Sequence, residues 1–339
     1  MLRLRTIDAH AGGEPLRLIV DGFPAPRGKT MLEKREWVRR HADHLRRALM
    51  LEPRGHADMY GAVLTEPVTP GSHAGVLFMH NEGYSTMCGH GIVAVTTIAL
   101  ERGLLLPGGD GTTVVYDAPA GTIRARADLR AGGAGGAGGP GRVESVAFLN
   151  VPSFVLHAGL TVKLGSRQVR ADVAFGGAFY AIVDSEAVGL PIDVPHLPEL
   201  RRIGMEIKRA VEAGHTIAHP LDPGLCGIYG TIFTGPPSDD RADLRNVTIF
   251  ADAEVDRSPC GTGTAAVMSV IDAMGLLSAE RPFVHESLIG TRFKGRVASR
   301  TVVGETPAIV PEIEGSAWVT GEHTFLVDEE DPLKDGFRI

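Results

Sequence analysis

Two of the chain's three cysteines stand in the same setting. Cys88 lies in STMCGHGIVAV and Cys260 in RSPCGTGTAAV, 172 positions later. Aligned without a gap over residues 85–105 and 257–277, the two stretches share the cysteine, two glycines, an alanine, a valine and a closing Gly-Leu-Leu. Each copy reads as turn, cysteine, glycines, an apolar helix and a glycine stop. A helix N-terminus carries unpaired N–H groups and the positive end of the dipole. A cysteine placed there is expected to have its thiolate stabilised and its pKa lowered. Glycine lets the backbone approach a ligand closely, and the same N–H groups can seat a carboxylate. Each copy therefore offers a reactive sulfur and a place for an anion.

Two such copies meet the needs of one reaction class. Inverting a carbon centre by proton transfer takes a base on one face and an acid on the other. A thiolate and a thiol fill those roles and exchange them when the other enantiomer enters. Charge developing at Cα of a bound α-amino acid would be met by preorganised donors. Cys88 and Cys260 are thus the candidate catalytic pair, and the chemistry requires no metal and no organic cofactor. A lone cysteine is usually a packing residue; the matched repeat argues against that here, and it points to two similar lobes with the site where the copies face each other.

Near these cysteines stand two titratable residues, each with two readings. His90 either contacts a substrate amine and tunes the thiol, or caps its own helix. Asp256 either pairs with an ammonium, or serves the turn written in DRSP. His215 and His219, four apart in HTIAH, have a metal-like spacing, but Gly214 and Pro220 bracket them and no glutamate follows His215. No metal site is expected. Cys226 in GLCGIYG lacks the motif; it is read as structural, with an oxidation-sensitive bystander as the alternative.

The elements that must position these groups are mostly strands. LRLRTI from Leu2, GTIRARA from Gly121, RVESVAFL from Arg142 and NVTIFADAEV from Asn246 are β-rich runs bounded by turn residues. Two further helices are expected. In one, Val38, Ala42, Leu45 and Leu49 recur at helical spacing; in the other, Leu200, Ile203, Ile207 and Val211 do so. The first is rich in arginine and reads as a solvated face. AGGAGGAGGPG, residues 131–141, is expected to be a long hairpin tip.

With 339 residues the chain can build two ordinary domains. Thirty-four basic against 41 acidic residues give a net charge of −7, which disfavours nucleic acid and anionic membranes as partners. The opening MLRLRTIDAHAGGEP lacks the apolar core of a signal peptide, and no run approaches the roughly 18 apolar residues of a membrane span. Three widely spaced cysteines make no disulfide framework. A cytoplasmic, reduced protein is expected.

MCGHG at residues 87–91 and DRSPCGTGT at residues 256–264 resemble the two signatures of the proline racemase family, which includes proline racemases, hydroxyproline 2-epimerases and trans-3-hydroxyproline dehydratases. GGEP (12–15), RGHADMYGA (from Arg54), FMHNEGY (from Phe78), FGGAFYA (from Phe175) and HP at His219 extend the resemblance over nearly the whole chain. It implies an α+β fold of two pseudo-symmetric lobes of the diaminopimelate epimerase type. Each lobe would be a barrel-like β-structure around a central helix, with the active site between the lobes. The expected boundaries are residues 1–148 with 320–339 for the lobe carrying Cys88, and 149–319 for the lobe carrying Cys260. The resemblance further implies that amides at Gly89, His90, Gly261 and Thr262 hold the substrate carboxylate, and that the side chains of His90 and Asp256 face the ring nitrogen. Within the family, dehydratases resemble this chain in NEGYSTMCGH and FADAEVD but typically carry threonine in place of the second cysteine. Cys260 therefore points to a racemase or epimerase. Phe250 matches an aromatic wall of proline racemases, or is simply strand core. As a wall it would disfavour a buried 4-hydroxyl, so proline or 3-hydroxyproline is the expected substrate. Ala11 replaces a more usual threonine. By the same resemblance a homodimer is expected. A 3-hydroxyproline dehydratase and a 4-hydroxyproline 2-epimerase are the alternatives. A binding module would not need two ionisable thiols, and a pyridoxal-phosphate racemase would need a Schiff-base lysine, for which no lysine has a suggestive setting.

Overall fold

Leu2–Ala11 and Glu14–Asp21 form an antiparallel hairpin, and the chain's last strand, Ala317–Val327, returns to pair along the other side of Leu2–Ala11. The computed structural model describes residues 1–109, 111–130 and 141–339. Of the expected glycine-rich tip at 131–141, residues 131–140 lie outside them. Two compact units result: Met1–Phe148 with Gly315–Ile339, and Leu149–Glu314.

In the first unit the helix Gly89–Glu101 is the core. It carries no charged residue before Glu101 and no polar stripe, so it has no face to offer water and must be wrapped. Every residue from Gly89 to Leu100 is buried. The strands Leu2–Ala11, Glu14–Asp21, Gly121–Arg130 and Ala317–Val327 pack against it. Gly121–Arg130 shows how the sequence pattern produces this wrap. Ile123, Ala125 and Ala127 point inward, while Thr122, Arg124 and Arg126 are exposed, the period-two alternation of a sheet with one wet face.

The second unit repeats the plan. Helix Gly261–Ala273 is buried from Gly261 to Val270 and packs against Phe154–Leu164, Arg167–Phe175 and Arg292–Val303. On its periphery lies the helix Leu197–Gly214, which buries Leu200, Ile203, Ile207 and Val211 as their spacing predicts.

Two elements differ from expectation. The arginine-rich stretch is two helices, Met31–His41 and Asp43–Met50, broken at Ala42. Val38, Ala42, Leu45 and Leu49 still share the buried side. Arg39 and Arg40 are solvated and pair with Glu36, but Arg46 is buried: it binds Asp43 at 2.7 Å and donates to the carbonyl of His80 at 2.8 Å. The run NVTIFADAEV is also two strands, Leu244–Phe250 and Glu254–Asp256, antiparallel across a turn in which Ala251 and Ala253 have positive φ. Alanine carries no turn signal, and Asp252 between them is too slight a mark to break a β-rich run.

Cys226 is exposed, at the end of the short strand Asp222–Cys226, rather than packed. His215 caps the end of the helix Leu197–Gly214, while His219 sits in the next strand against Phe154 and Phe175, so the two do not share a helix face. Among the described residues no helix is long and apolar enough to cross a membrane.

Candidate active site

Each core helix begins at its cysteine, and in both the sulfur is the cap. The Cys88 Sγ accepts from the N–H of Gly91 at 3.2 Å, and the Cys260 Sγ accepts from that of Gly263 at 3.3 Å. Helix-capping side chains characteristically take the N–H at the second or third position, and here a sulfur does so. The ladder of each helix then starts with the cysteine carbonyl, which accepts from Ile92 in one case and Thr264 in the other. Gly89 and His90, like Gly261 and Thr262, therefore stand ahead of the ladder, where an incoming carboxylate would find donors.

The second glycine of each motif has a steric reason. A Cβ at Gly91 would lie 2.9 Å from the Cys88 Sγ and closer still to the Phe78 ring. At Gly263 it would lie 2.9 Å from both the Cys260 Sγ and the Ile232 Cδ1. Any side chain would push the sulfur off its cap. Gly263→Ala is expected to cost about 1–3 kcal/mol by overpacking and, by displacing the thiol, to lower turnover by about 10²-fold. Melting curves and kcat/KM for Gly91→Ala and Gly263→Ala check this; wild-type turnover in either would mean that its sulfur does not need this seat.

Around Cys88 the partner is histidine. Cys88 and His90 are both buried, and the Cys88 Sγ lies 3.2 Å from His90 Nδ1. The edge of Tyr60 packs on the imidazole, ring centroids 4.7 Å apart, and the Tyr60 hydroxyl is hydrogen-bonded to Ser85. The His90 ring reaches back to the thiol two residues away, while the helix cap is the Cys88 sulfur and not His90.

Around Cys260 the partners are hydroxyls. At position 262, the counterpart of His90 in the repeat, the threonine Oγ1 lies 3.8 Å from the sulfur and 2.6 Å from the hydroxyl of Tyr180, itself 3.7 Å from the sulfur. Tyr180 stands edge-on to Tyr229, on which Phe250 stacks at 5.4 Å. Phe250 is buried and ends an aromatic row that leads to the thiol. Tyr180 was missed by sequence reasoning. It lies 80 residues before Cys260 and only the FGGAFYA stretch hinted at it.

Asp256 is also buried, and its Oδ1 accepts from the N–H of Ser258 at 2.8 Å and from its hydroxyl at 2.7 Å. Ser258 Oγ in turn accepts from the Cys260 N–H at 3.1 Å. Asp256 thus carries the turn, as one of its readings expected. Here the expected electrostatics reverse. Burial, and secondarily the Asp256 charge, push the Cys260 thiol up to about 12, against the weaker pull of Tyr180, Gly263 and Thr262. Desolvation of a fully buried thiolate outweighs the helix end. Cys260 is a protonated thiol at neutral pH.

The two caps differ in backbone. Cys88 has φ −145°, an extended value open to any residue. Cys260 has φ 61°, in the left-handed region, which costs a non-glycine residue of order 1–3 kcal/mol.

A family model described as proline racemase matches residues 6–338. The chain is 47% identical over 334 residues to a trans-3-hydroxy-L-proline dehydratase of Bacillus cereus, covering 98% of this chain and 97% of that one. It is 45% identical over 337 residues to a 3-hydroxyproline 2-epimerase of Burkholderia multivorans, covering 99% and 98%. A crystal structure of a hydroxyproline epimerase from Agrobacterium vitis, with bound trans-4-hydroxy-L-proline, matches with a TM-score of 0.90 at 29% identity, over 100% of this chain and 95% of that one.

Proposed function

The chain belongs to the proline racemase family, and from that premise we propose that it inverts Cα of 3-hydroxyproline or proline by proton transfer between two thiols, without a cofactor. The observation that carries the reading is the matched pair of caps: two buried core helices, each begun by a cysteine whose sulfur sits on its own helix N-terminus. A packing cysteine needs neither the cap nor the glycine that clears room for it.

In this reading the amides of Gly89, His90, Gly261 and Thr262 seat the substrate carboxylate, and Phe250 bounds the ring. Cys88, beside the His90 imidazole, removes the Cα proton of one enantiomer, and the Cys260 thiol delivers a proton to the opposite face. With the other enantiomer the roles exchange. Asp256 meets the ring ammonium. That pairing would cancel part of the charge that holds Cys260 protonated, so substrate binding itself would ease the thiol toward reaction. The mechanism needs both thiols reduced, which fits a cytoplasmic enzyme. A homodimer accords with the same reading.

A second reading is elimination. After Cα deprotonation, a 3-hydroxyl can leave as water. The similarity to the Bacillus cereus dehydratase favours it; Cys260 favours inversion. Proton NMR in D₂O, with 3-hydroxy-L-proline, L-proline and 4-hydroxy-L-proline supplied separately, tests both. Loss of the Cα–H signal with appearance of the epimer or the D-enantiomer is the expected result. Loss of the 3-hydroxyl with formation of a pyrroline would make the protein a dehydratase. No exchange with any of the three would sink the substrate class.

A further inference from the structure

The φ of 61° at Cys260 has a visible cause behind the helix. The Pro259 carbonyl accepts from Asn246 Nδ2 at 3.0 Å and from the Thr264 hydroxyl at 3.1 Å. On the other side of the same peptide plane, the Cys260 N–H is held by Ser258 Oγ. One residue on, the Cys260 carbonyl is tied to the Thr264 N–H at 2.6 Å. With both peptide planes pinned, the left-handed angle between them is what remains.

The two side chains on the Pro259 carbonyl meet at one residue. His285 Nδ1 lies 2.9 Å from Thr264 Oγ1, and the Asn246 Nδ2 lies 3.0 Å from the ring's Nε2 and 3.1 Å from its Nδ1. All three residues are fully buried. A hydroxyl has a single proton. If Thr264 gives it to Pro259, its oxygen is left to accept, and the imidazole must donate from Nδ1, with its Nε2 lone pair toward the Asn246 amide. Burial holds the His285 ring neutral, with its pKa down at about 3, so a single tautomer serves the Thr264 and Asn246 contacts together.

The other half of the repeat lacks this apparatus. Within the aligned repeat, Pro259 corresponds to Met87 and Thr264 to Ile92. There the cysteine has an extended backbone. The polar set and the left-handed cysteine occur together in one unit and are both missing from the described residues of the other.

We propose that His285 is a positioning residue for Cys260: its imidazole orients the Thr264 hydroxyl and the Asn246 amide onto the Pro259 carbonyl, and so holds Cys260 in the left-handed backbone that seats its sulfur. The proposal rests on the reading of Cys260 as a reacting thiol. The substitutions that test it are His285→Phe, which keeps a ring and removes the donor, and His285→Asn, whose amide N–H can stand in for Nδ1–H. Thr264→Val and Thr264→Ser make the same comparison one bond further along, in case His285→Phe does not fold.

The first readout is the rate at which iodoacetamide labels each cysteine, resolved by peptide mass spectrometry. His285→Phe is expected to change labelling of Cys260 by about tenfold or more, because thiol reactivity follows its local environment, while Cys88 keeps its rate. His285→Asn and Thr264→Ser are expected to return Cys260 toward its original rate. The second readout is the ratio of Cα deuterium exchange to inversion with 3-hydroxy-L-proline in D₂O. That ratio is expected to rise, since Cys88 still exchanges the proton while the displaced Cys260 fails to complete inversion. Equal changes at Cys88 and Cys260, or an unchanged exchange-to-inversion ratio, would overturn the proposal, because a general loosening lowers both steps together. Selective change at Cys260 with no turnover of any proline compound would leave the positioning role standing and remove the substrate reading alone.

Discussion

Cys260→Ser is expected to lower the rate of Cα inversion by about 10³-fold or more, the scale on which a positioned acid–base group contributes. The fold should survive. A serine Oγ can still cap the helix by accepting from Gly263, and hydroxyl caps are the common kind. What is lost is the ability to give and take a proton near neutral pH. A serine hydroxyl is a far weaker acid than a thiol, so the half-reaction at Cys260 stops. The half-reaction at Cys88 does not depend on it. In D₂O the variant is therefore expected to wash deuterium into one enantiomer with retention while forming almost none of the other. Chiral chromatography and NMR on the same sample separate the two outcomes. Inversion retained within about tenfold of wild type, below the usual contribution of such a group, would sink the two-thiol mechanism. Loss of both exchange and inversion, with an unchanged melting curve, would instead make Cys260 the base for that substrate.

The chemistry of this chain was legible where it is local. The Cys-Gly-x-Gly spacing announced both caps, because the sulfur, the N–H it binds and the glycine that clears space all lie within one turn. The core helices were legible for a related reason: a run of that length with no charged residue before its last turn has only an interior to occupy. Features that depend on distant chain segments were not. Tyr180 reaches Cys260 across 80 residues, and His285 reaches Thr264 across 21. The turn at Ala251 and Ala253 was hidden because tertiary context, not residue type, holds alanine at positive φ there; Lys208 Nζ donates to the Ala251 carbonyl at 3.0 Å. The break at Ala42 was hidden because both halves keep the same buried stripe. The ionisation of Cys260 was misjudged for a deeper reason. The helix end is visible in a sequence, but the burial that outweighs it is a property of the whole unit.

That reversed ionisation has a large measurable consequence. Held at about 12, the Cys260 thiol releases its proton only far into the alkaline range. An unperturbed thiol, with a pKa near 8.5, is largely thiolate by about pH 9.5 and its alkylation rate levels off there. Labelling of Cys260 in the substrate-free protein is instead expected to climb about tenfold per pH unit from pH 7 to 10, roughly 10³-fold in all, without levelling. Stability must follow the same sign. The unfolded chain loses this proton near the ordinary thiol value, while the folded chain keeps it. The unfolded state therefore binds fewer protons between the two values, and stability falls as pH rises through that window; below it, the contribution is fully present. Cys260→Ala, which has no proton to lose, should flatten that alkaline slope in denaturant titrations at pH 8 and 10. Adding pyrrole-2-carboxylate should block labelling by covering the sulfur. If Cys260 labelling levels off near pH 9, the thiol ionises as freely as one in water, and a buried proton donor at this helix end is excluded.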